Sequence, residues 1–185
     1  QSTFSKAQVY NDARDSPPKV DLAKAKALLK IAGEEAGFSL RMTLPTTPEE
    51  LQVGQMIQGM LRPAGITVVL EKAELAAQIE AGKAGTFDTV MIGWSGRSDP
   101  DQNIYDFVVS NGSLNYSHLA NPELDAVLLQ ARVEGNEAKR KVLYAQVMQI
   151  LVNEVPYVYL SHDNVLVGIS KAVTGFRFVP DGGIR

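Results

Sequence analysis

The chain has 185 residues, enough to bury the core of one domain or at most two, and its 45% hydrophobic and 21% charged residues are typical of a globular protein. The formal net charge of −3 argues against a nucleic-acid-binding protein, because a surface that binds phosphates usually carries a basic excess. The sequence has no cysteine, which excludes disulfides and thiolate chemistry, and no apolar run approaches the roughly 20 residues that span a bilayer, so we expect no membrane insertion by this segment.

The first half of the chain alternates between helical and strand patterns. Residues 1–19 are polar and rich in turn formers, so we expect an extended arm there and a single α/β lobe over residues 20–185. Helix caps, glycine stops and apolar periodicity predict six further elements: helix 22–32, strand 38–44, helix 48–61, strand 66–70, helix 74–81 and strand 87–94. Short links between these elements favour βαβ crossovers, so the predicted fold class is α/β, with a mostly parallel or mixed sheet flanked by helices.

The second half is predicted to be largely helical. Its expected elements are a short helix near residues 103–109, amphipathic helices over residues 122–133 and 137–152, and short strands over residues 157–161 and 165–169. Asp99 or Asp101 is expected to cap the short helix, since a carboxylate ahead of a helix accepts its unpaired N–H groups.

Residues 87–107 read FDTVMIGWSGRSDPDQNIYDF and place an aromatic ring, a cation and several carboxylates where a predicted strand ends in a loop. The carboxyl ends of strands are where open α/β sheets bind ligands. Together with NYSHLANPELDAVLLQAR at residues 115–132 and an AKALL…AG helix before a strand, this segment resembles the family 5 extracytoplasmic solute-binding proteins. That family comprises the dipeptide-, oligopeptide-, nickel- and glutathione-type receptors of ABC importers, and the resemblance extends over about residues 20–185.

The resemblance also implies the architecture, partners and location of the protein. Receptors of this family are much longer than 185 residues, so the chain is expected to be a C-terminal fragment that forms one lobe of a two-lobed, Venus-flytrap fold. It would capture a small peptide or a glutathione-like molecule for the membrane permease of an ABC importer, without catalysis and without a cofactor. The implied location is periplasmic or otherwise extracytoplasmic, with the full-length protein either free or lipid-anchored.

The predicted ligand site follows the third predicted strand. Trp94 is expected to offer an organic ligand an apolar platform, since Gly93 and Gly96 remove side chains on both sides of it. Arg97 stands where an Asp of the resembling peptide receptors meets the α-amino group of the peptide, so the resemblance implies a ligand carboxylate at this point instead. Asp99 is close enough in sequence to orient Arg97 or to replace the missing carboxylate. The full predicted set is Trp94, Ser95, Gly96, Arg97, Asp99, Asp101 and Asn103.

Two other interpretations remain. A small serine hydrolase would use Ser95 with His162 and Asp163, but the Gly-x-Ser-x-Gly pattern fails at Arg97, and adjacent His and Asp side chains in a turn tend to point apart. The second interpretation is that the chain is a sensory ligand-binding domain of the same fold. No metal site is expected, because the carboxylates of residues 99–103 lack calcium-loop spacing and the two histidines form no zinc pattern.

Overall fold

The computed structural model describes residues 4, 10, 19–162 and 166–177. The chain falls into two compact units. We call residues 18–94 the sheet unit, and residues 1–17 together with 95–185 the helical unit. Among the helices described, none combines the length and the apolar character that crossing a membrane requires.

The sheet unit alternates helices with strands, as predicted. Its elements are α1 (Leu22–Ile31), β1 (Phe38–Leu44), α2 (Pro48–Leu61), a 3₁₀ turn (Arg62–Ala64), β2 (Ile66–Lys72), α3 (Leu75–Ala84) and β3 (Thr89–Val90). The strands lie in the order β2-β1-β3 and both pairs are parallel, with Phe38 opposite Ile66 and Met42 opposite Thr89. Two βαβ units therefore build the sheet, and the predicted α/β class is confirmed.

Helix α2 packs against β1 and β2. The strands bury alternate residues, among them Leu44 and Val68. Gly54 lies on the packed side of α2, where a Cβ would be only 2.8 Å from Leu44 Cδ2, so the missing side chain allows the close approach of helix and sheet. The helix begins as predicted, because the Thr47 hydroxyl accepts a hydrogen bond from Glu50 N–H at 3.4 Å.

Strand β3 is shorter than predicted. Beyond its two residues, one further ladder bond runs from Met91 N–H to the Thr43 carbonyl at 2.8 Å. The next bond of this parallel ladder would need an N–H from Pro45, which has none. The strand predicted over residues 87–94 is therefore wrong in length, and the chain beyond Met91 leaves the sheet before it reaches the predicted ligand site.

Helix α3 ends at Gly85 and not at Gly82, the glycine that follows the predicted helix 74–81. Gly82 is buried inside the helix, whereas Gly85 is the residue in the left-handed region, at φ 65°, and its N–H bonds to the carbonyls of Ala81 and Gly82. Either glycine could stop a helix, but only the one whose backbone must take a positive φ does so.

The helical unit contains three helices in its described part: α4 (Asp101–Val108), α5 (Pro122–Val133) and α6 (Glu137–Glu154). Asn121 caps α5 and Asn136 caps α6, each by accepting a hydrogen bond from a backbone N–H three residues further on. The buried core of this unit consists of Phe4, Ile104, Val108, Leu124, Leu128, Ala131, Tyr144, Val147, Met148 and Leu151. Two of these core residues, Ile104 and Val108, belong to α4, the helix that follows the loop of the predicted site.

The segment predicted as an extended arm is described only at Phe4, Tyr10 and Lys19, and its other residues lie outside the described part of the chain. Phe4 is buried in the core and meets the Tyr144 ring edge to face, with the ring centroids 5.6 Å apart.

The two strands predicted after α6 are wrong for the residues that the structure describes, since residues 157–161 and 166–169 take no strand conformation. Alternation of apolar residues marks an extended segment with one buried side, but a strand also needs a backbone partner. Tyr157 shows the first property, because its hydroxyl donates to the carbonyls of Phe107 and Leu114 at 3.1 and 3.3 Å. Val158 is 75% exposed, and Val165 lies outside the described residues.

Candidate ligand-binding site

The predicted site residues are distributed over the end of the sheet unit and the start of the helical unit. Trp94 is the last residue of the sheet unit, and its side chain is 51% exposed. Ser95, Gly96 and Arg97 begin the helical unit and are exposed. A Cβ at Gly96 would meet no atom within 4 Å, so this glycine leaves open space beside the loop. We call residues 95–100 the site loop.

Asn103 fixes the main chain of the site loop. Its Oδ1 accepts a hydrogen bond from Arg97 N–H at 2.7 Å, and its Nδ2 donates to the Arg97 carbonyl at 2.7 Å and to the Asp99 carbonyl at 3.2 Å. Asn103 is buried in the first turn of α4. One amide group therefore binds both backbone polar groups of Arg97 and holds this residue against the helix.

The Arg97 side chain extends over the exposed side of its own loop. Its Nη1 donates to the carbonyl of Ser95 at 3.3 Å and to the Ser95 hydroxyl at 3.2 Å. A guanidinium carries five N–H donors in a planar fork, whose geometry matches that of a carboxylate.

Asp99 is paired with Arg140, a residue that is not among those predicted for the site. Arg140 Nη1 donates to Asp99 Oδ2 at 3.1 Å and Arg140 Nη2 to Oδ1 at 2.9 Å, so the pair is bidentate. Asp101 N–H adds a bond to Asp99 Oδ1 at 2.8 Å. Hydrogen bonds from Arg140 hold the pKa of Asp99 below its usual value, against the opposing effect of burial. Asp99 therefore orients Arg140 rather than Arg97.

Arg140 is itself held on three sides. Its Nε donates to the carbonyl of Ala131, in the last turn of α5, at 2.9 Å. Its Cζ lies 5.8 Å from the centre of the Tyr10 ring and 5.5 Å from that of Tyr144. The side chain is only 15% exposed, and the bonds to Asp99 raise its pKa. Arg140 thus connects the site loop to α5 and α6.

Asp101 stands at the first position of α4 and is paired more loosely. Its Oδ2 lies 3.4 Å from Arg132 Nε, and burial raises its pKa. Asp101 Oδ1 is buried and has no hydrogen-bond partner among the described residues. Of the two carboxylates predicted to cap α4, Asp99 accepts the helical N–H and Asp101 does not.

The charges of the site therefore divide into two groups. The carboxylates of Asp99 and Asp101 face Arg140 and Arg132 within the protein, whereas the Arg97 guanidinium is exposed. In the described part of the chain no three metal-ligating side chains come together. Asp163 of the hydrolase interpretation lies outside the described residues.

The chain belongs to the bacterial extracellular solute-binding proteins, family 5, whose "Middle" model matches residues 1–116. Among curated relatives, it is 30% identical over 171 residues to a dipeptide-binding protein of Escherichia coli K12. The matched region covers 88% of this chain and 32% of that relative. It is also 28% identical to heme-binding protein A of Haemophilus influenzae, with 94% of this chain and 33% of the relative covered. The family assignment made from the sequence is thus confirmed.

Solved structures show the same relationship. The periplasmic binding protein DppA of Helicobacter pylori in complex with the peptide STSA superposes with a TM-score of 0.76 at 26% identity, over 84% of this chain and 31% of that one. The murein tripeptide binding protein MppA of Escherichia coli gives a TM-score of 0.74 at 25% identity, over 82% and 31%. The chain spans about a third of the length of the relatives that it matches.

Proposed function

We propose that this chain is the ligand-capture part of an ABC importer's receptor, without catalytic activity. In this proposal residues 20–185 form one lobe of a two-lobed receptor outside the cytoplasm, which binds a small peptide or a glutathione-like molecule and delivers it to a membrane permease. The family membership and the peptides named for its relatives support this class of ligand. The exposed Arg97, on a loop whose one carboxylate, Asp99, is paired with Arg140, is the observation that carries the proposal.

Arg97 determines the chemistry of the ligand group in this proposal. The planar guanidinium matches a carboxylate with two parallel hydrogen bonds, and such a pair is strong where water is excluded. The resemblance implies an Asp here in peptide receptors, where it meets the α-amino group, so a cation at this point should disfavour a ligand whose only charge at this end is an ammonium and should favour one with a carboxylate there. A ligand with a carboxylate at its amino end, such as a γ-glutamyl or succinyl peptide, meets this requirement.

Trp94 is proposed to supply an apolar surface for the same ligand. A half-exposed tryptophan leaves much of a large apolar ring in water, which a bound organic ligand would cover. The neighbouring glycines leave open space, since a Cβ at Gly93 or at Gly96 would meet no atom within 4 Å.

Titration calorimetry on the full-length natural receptor tests the proposal with three probes: glutathione, N-succinyl-dialanine and unmodified dialanine. Glutathione and N-succinyl-dialanine should bind more tightly than dialanine, and each probe should be recovered intact after incubation. Removing one partner of a desolvated charge pair costs about 2–5 kcal/mol, so Arg97→Ala should weaken N-succinyl-dialanine binding at least about thirtyfold.

Two variants at the same position sharpen this test. Arg97→Lys should restore only part of the affinity, because an ammonium lacks the planar fork. Arg97→Asp should reverse the preference and favour dialanine over N-succinyl-dialanine. Arg62→Ala, which removes an exposed arginine of the sheet unit, is the control and should leave all three affinities unchanged. If Arg97→Ala keeps the affinity for N-succinyl-dialanine, the carboxylate contact is refuted.

A further inference from the structure

The site loop is attached to the helical unit by two side chains from different helices. Asn103 of α4 binds the N–H and the carbonyl of Arg97, both at 2.7 Å. Arg140 of α6, 41 residues after Asp99, binds both oxygens of the Asp99 carboxylate. The main chain is thus held at residue 97 and again at residue 99, on either side of Ser98.

Both attachments are made by side chains that are largely buried. Asn103 is 7% exposed, and the Arg140 side chain is 15% exposed. The ion pair has bidentate geometry, and Arg140 is further fixed by the Ala131 carbonyl at 2.9 Å. A buried amide and a paired arginine hold a loop more rigidly than exposed side chains, whose rotamer freedom is larger.

The same contacts occupy the polar atoms that a ligand would need. Both oxygens of Asp99 accept from Arg140, and Oδ1 also accepts from Asp101 N–H. Both polar atoms of the Asn103 amide bind backbone groups of the site loop. Every side-chain oxygen and nitrogen of Asp99 and Asn103 is thus already bonded within the protein, to the groups that hold the site loop in place.

We propose that Asn103 and the Asp99–Arg140 ion pair are positioning residues, which fix the point from which the side chain at position 97 extends and thereby set ligand affinity without contacting the ligand. This inference rests on the proposed function and refines it, because it separates the predicted site into the residue that binds, Arg97, and residues that support it. A displacement of about 1 Å in such a binding group is enough to weaken a directional contact substantially.

Substitutions at Arg140 in the full-length receptor test the inference, with N-succinyl-dialanine as the probe. Arg140→Met should weaken binding about tenfold, as expected for a residue that acts at a distance through a packed network. Arg140→Lys should recover part of the loss, since it keeps the charge but not the bidentate pair. Arg132→Met is the matched control: Arg132 pairs with the neighbouring Asp101 at 3.4 Å, and its loss should change affinity less than about twofold.

A double-mutant cycle distinguishes positioning from general destabilisation. In the Arg97→Ala background, Arg140→Met should cause no further loss of affinity, because there is no longer a guanidinium to position. An additional tenfold loss in that background would overturn the inference, since Arg140 would then support the receptor in some other way.

Hydrogen exchange of the Arg97 amide, measured by NMR, separates this inference from the proposed function. The Arg97 N–H is bonded to Asn103 Oδ1, so Asn103→Ala and Arg140→Met should both accelerate its exchange. Unchanged exchange in Arg140→Met would refute the positioning role even if affinity fell. A different combination is faster exchange in Arg140→Met together with an affinity that Arg97→Ala leaves unchanged. It would refute the carboxylate contact at Arg97 but would uphold the fixing of the loop.

Discussion

Asp99 and Asp101 are separated by one residue, yet their pKa values move in opposite directions. Hydrogen bonds from Arg140 lower the pKa of Asp99, whereas burial raises the pKa of Asp101, with Arg132 opposing the rise and Asp99 adding to it. A lowered pKa means that the ionised carboxylate stabilises the fold, and a raised pKa means the reverse. Asp99 of the site loop therefore supports folding at neutral pH, whereas Asp101 at the start of α4 opposes it.

This contrast gives a pH prediction. Because the folded pKa of Asp99 is depressed, its contribution is complete above its ordinary value of 3.8 and is lost as the pH falls through the lower folded value. At pH 7, Asp99→Asn should lower the free energy of unfolding by about 1 kcal/mol, since a half-exposed pair is screened by solvent. Urea denaturation from pH 7 to pH 2.5 should show the difference from wild type closing below about pH 4.

Asp101→Asn provides the comparison. Its raised pKa means that the wild type gains stability, relative to this variant, as the pH falls through the folded pKa towards 3.8. The two variants should thus differ from wild type with opposite slopes in pH. Parallel slopes would show that the Asp99–Arg140 pair does not contribute to stability in the way that its geometry indicates.

The sequence predicts the exposed residues of the candidate site better than the residues that hold its loop in place. The strand end followed by Trp-Ser-Gly-Arg is a local pattern, and its position after β3 could be inferred from the helix and strand periodicities. The pairing of Arg140 with Asp99 could not be inferred in this way. Arg140 lies 41 residues after Asp99, in a helix whose pattern gives no reason to prefer one arginine over another. Ion pairs between distant helices depend on how those helices pack, which a single sequence does not encode locally.

At the scale of elements, the start of a helix was predictable and the length of a strand was not. The caps at Asp21, Thr47 and Asn121 are local, since each accepts a hydrogen bond from the next turn. The end of β3 depends on Pro45, which directly follows the neighbouring strand β1, and the segments after α6 lack a partner strand in the described part of the chain. Strand extent is a property of a pair of segments, so alternation alone overestimates it.

A pair of glycines gives a prediction at this scale. Gly37 and Gly65 immediately precede β1 and β2, and a Cβ at Gly37 would lie only 2.2 Å from the Gly65 carbonyl oxygen, with φ at 82°. Gly37→Ala should therefore lower the free energy of unfolding by about 2–5 kcal/mol, from the left-handed backbone and the clash together.

Gly33→Ala is the matched control for this prediction. Gly33 has the same φ of 82° but would place its Cβ where no atom lies within 4 Å, so only the backbone cost of about 1 kcal/mol applies. Urea denaturation of the two variants in the full-length receptor measures the difference. Equal destabilisation of the two variants would mean that the close approach of Gly37 and Gly65 does not forbid a side chain at the start of β1.

At the scale of the whole molecule, the proposed lobe presents Arg97 to water. An exposed ion pair contributes about 0–1 kcal/mol, against about 2–5 kcal/mol for truncating a desolvated pair. These two ranges differ by at least about 1 kcal/mol, so the 185-residue chain alone should bind N-succinyl-dialanine at least about fivefold more weakly than the full-length receptor, as calorimetry of both would show. Equal affinity would mean that residues 1–185 contain the complete site.

The Asn103 contact also has an evolutionary consequence. Because it holds residue 97 through its backbone N–H and carbonyl, it does not depend on which side chain stands there. Every amino acid except proline, which lacks the N–H, can make these two backbone bonds. If the proposed function holds, a single substitution at residue 97 changes the charge that the receptor selects and leaves the Asn103 contact in place, so that ligand preference in such a lineage can diverge in one step.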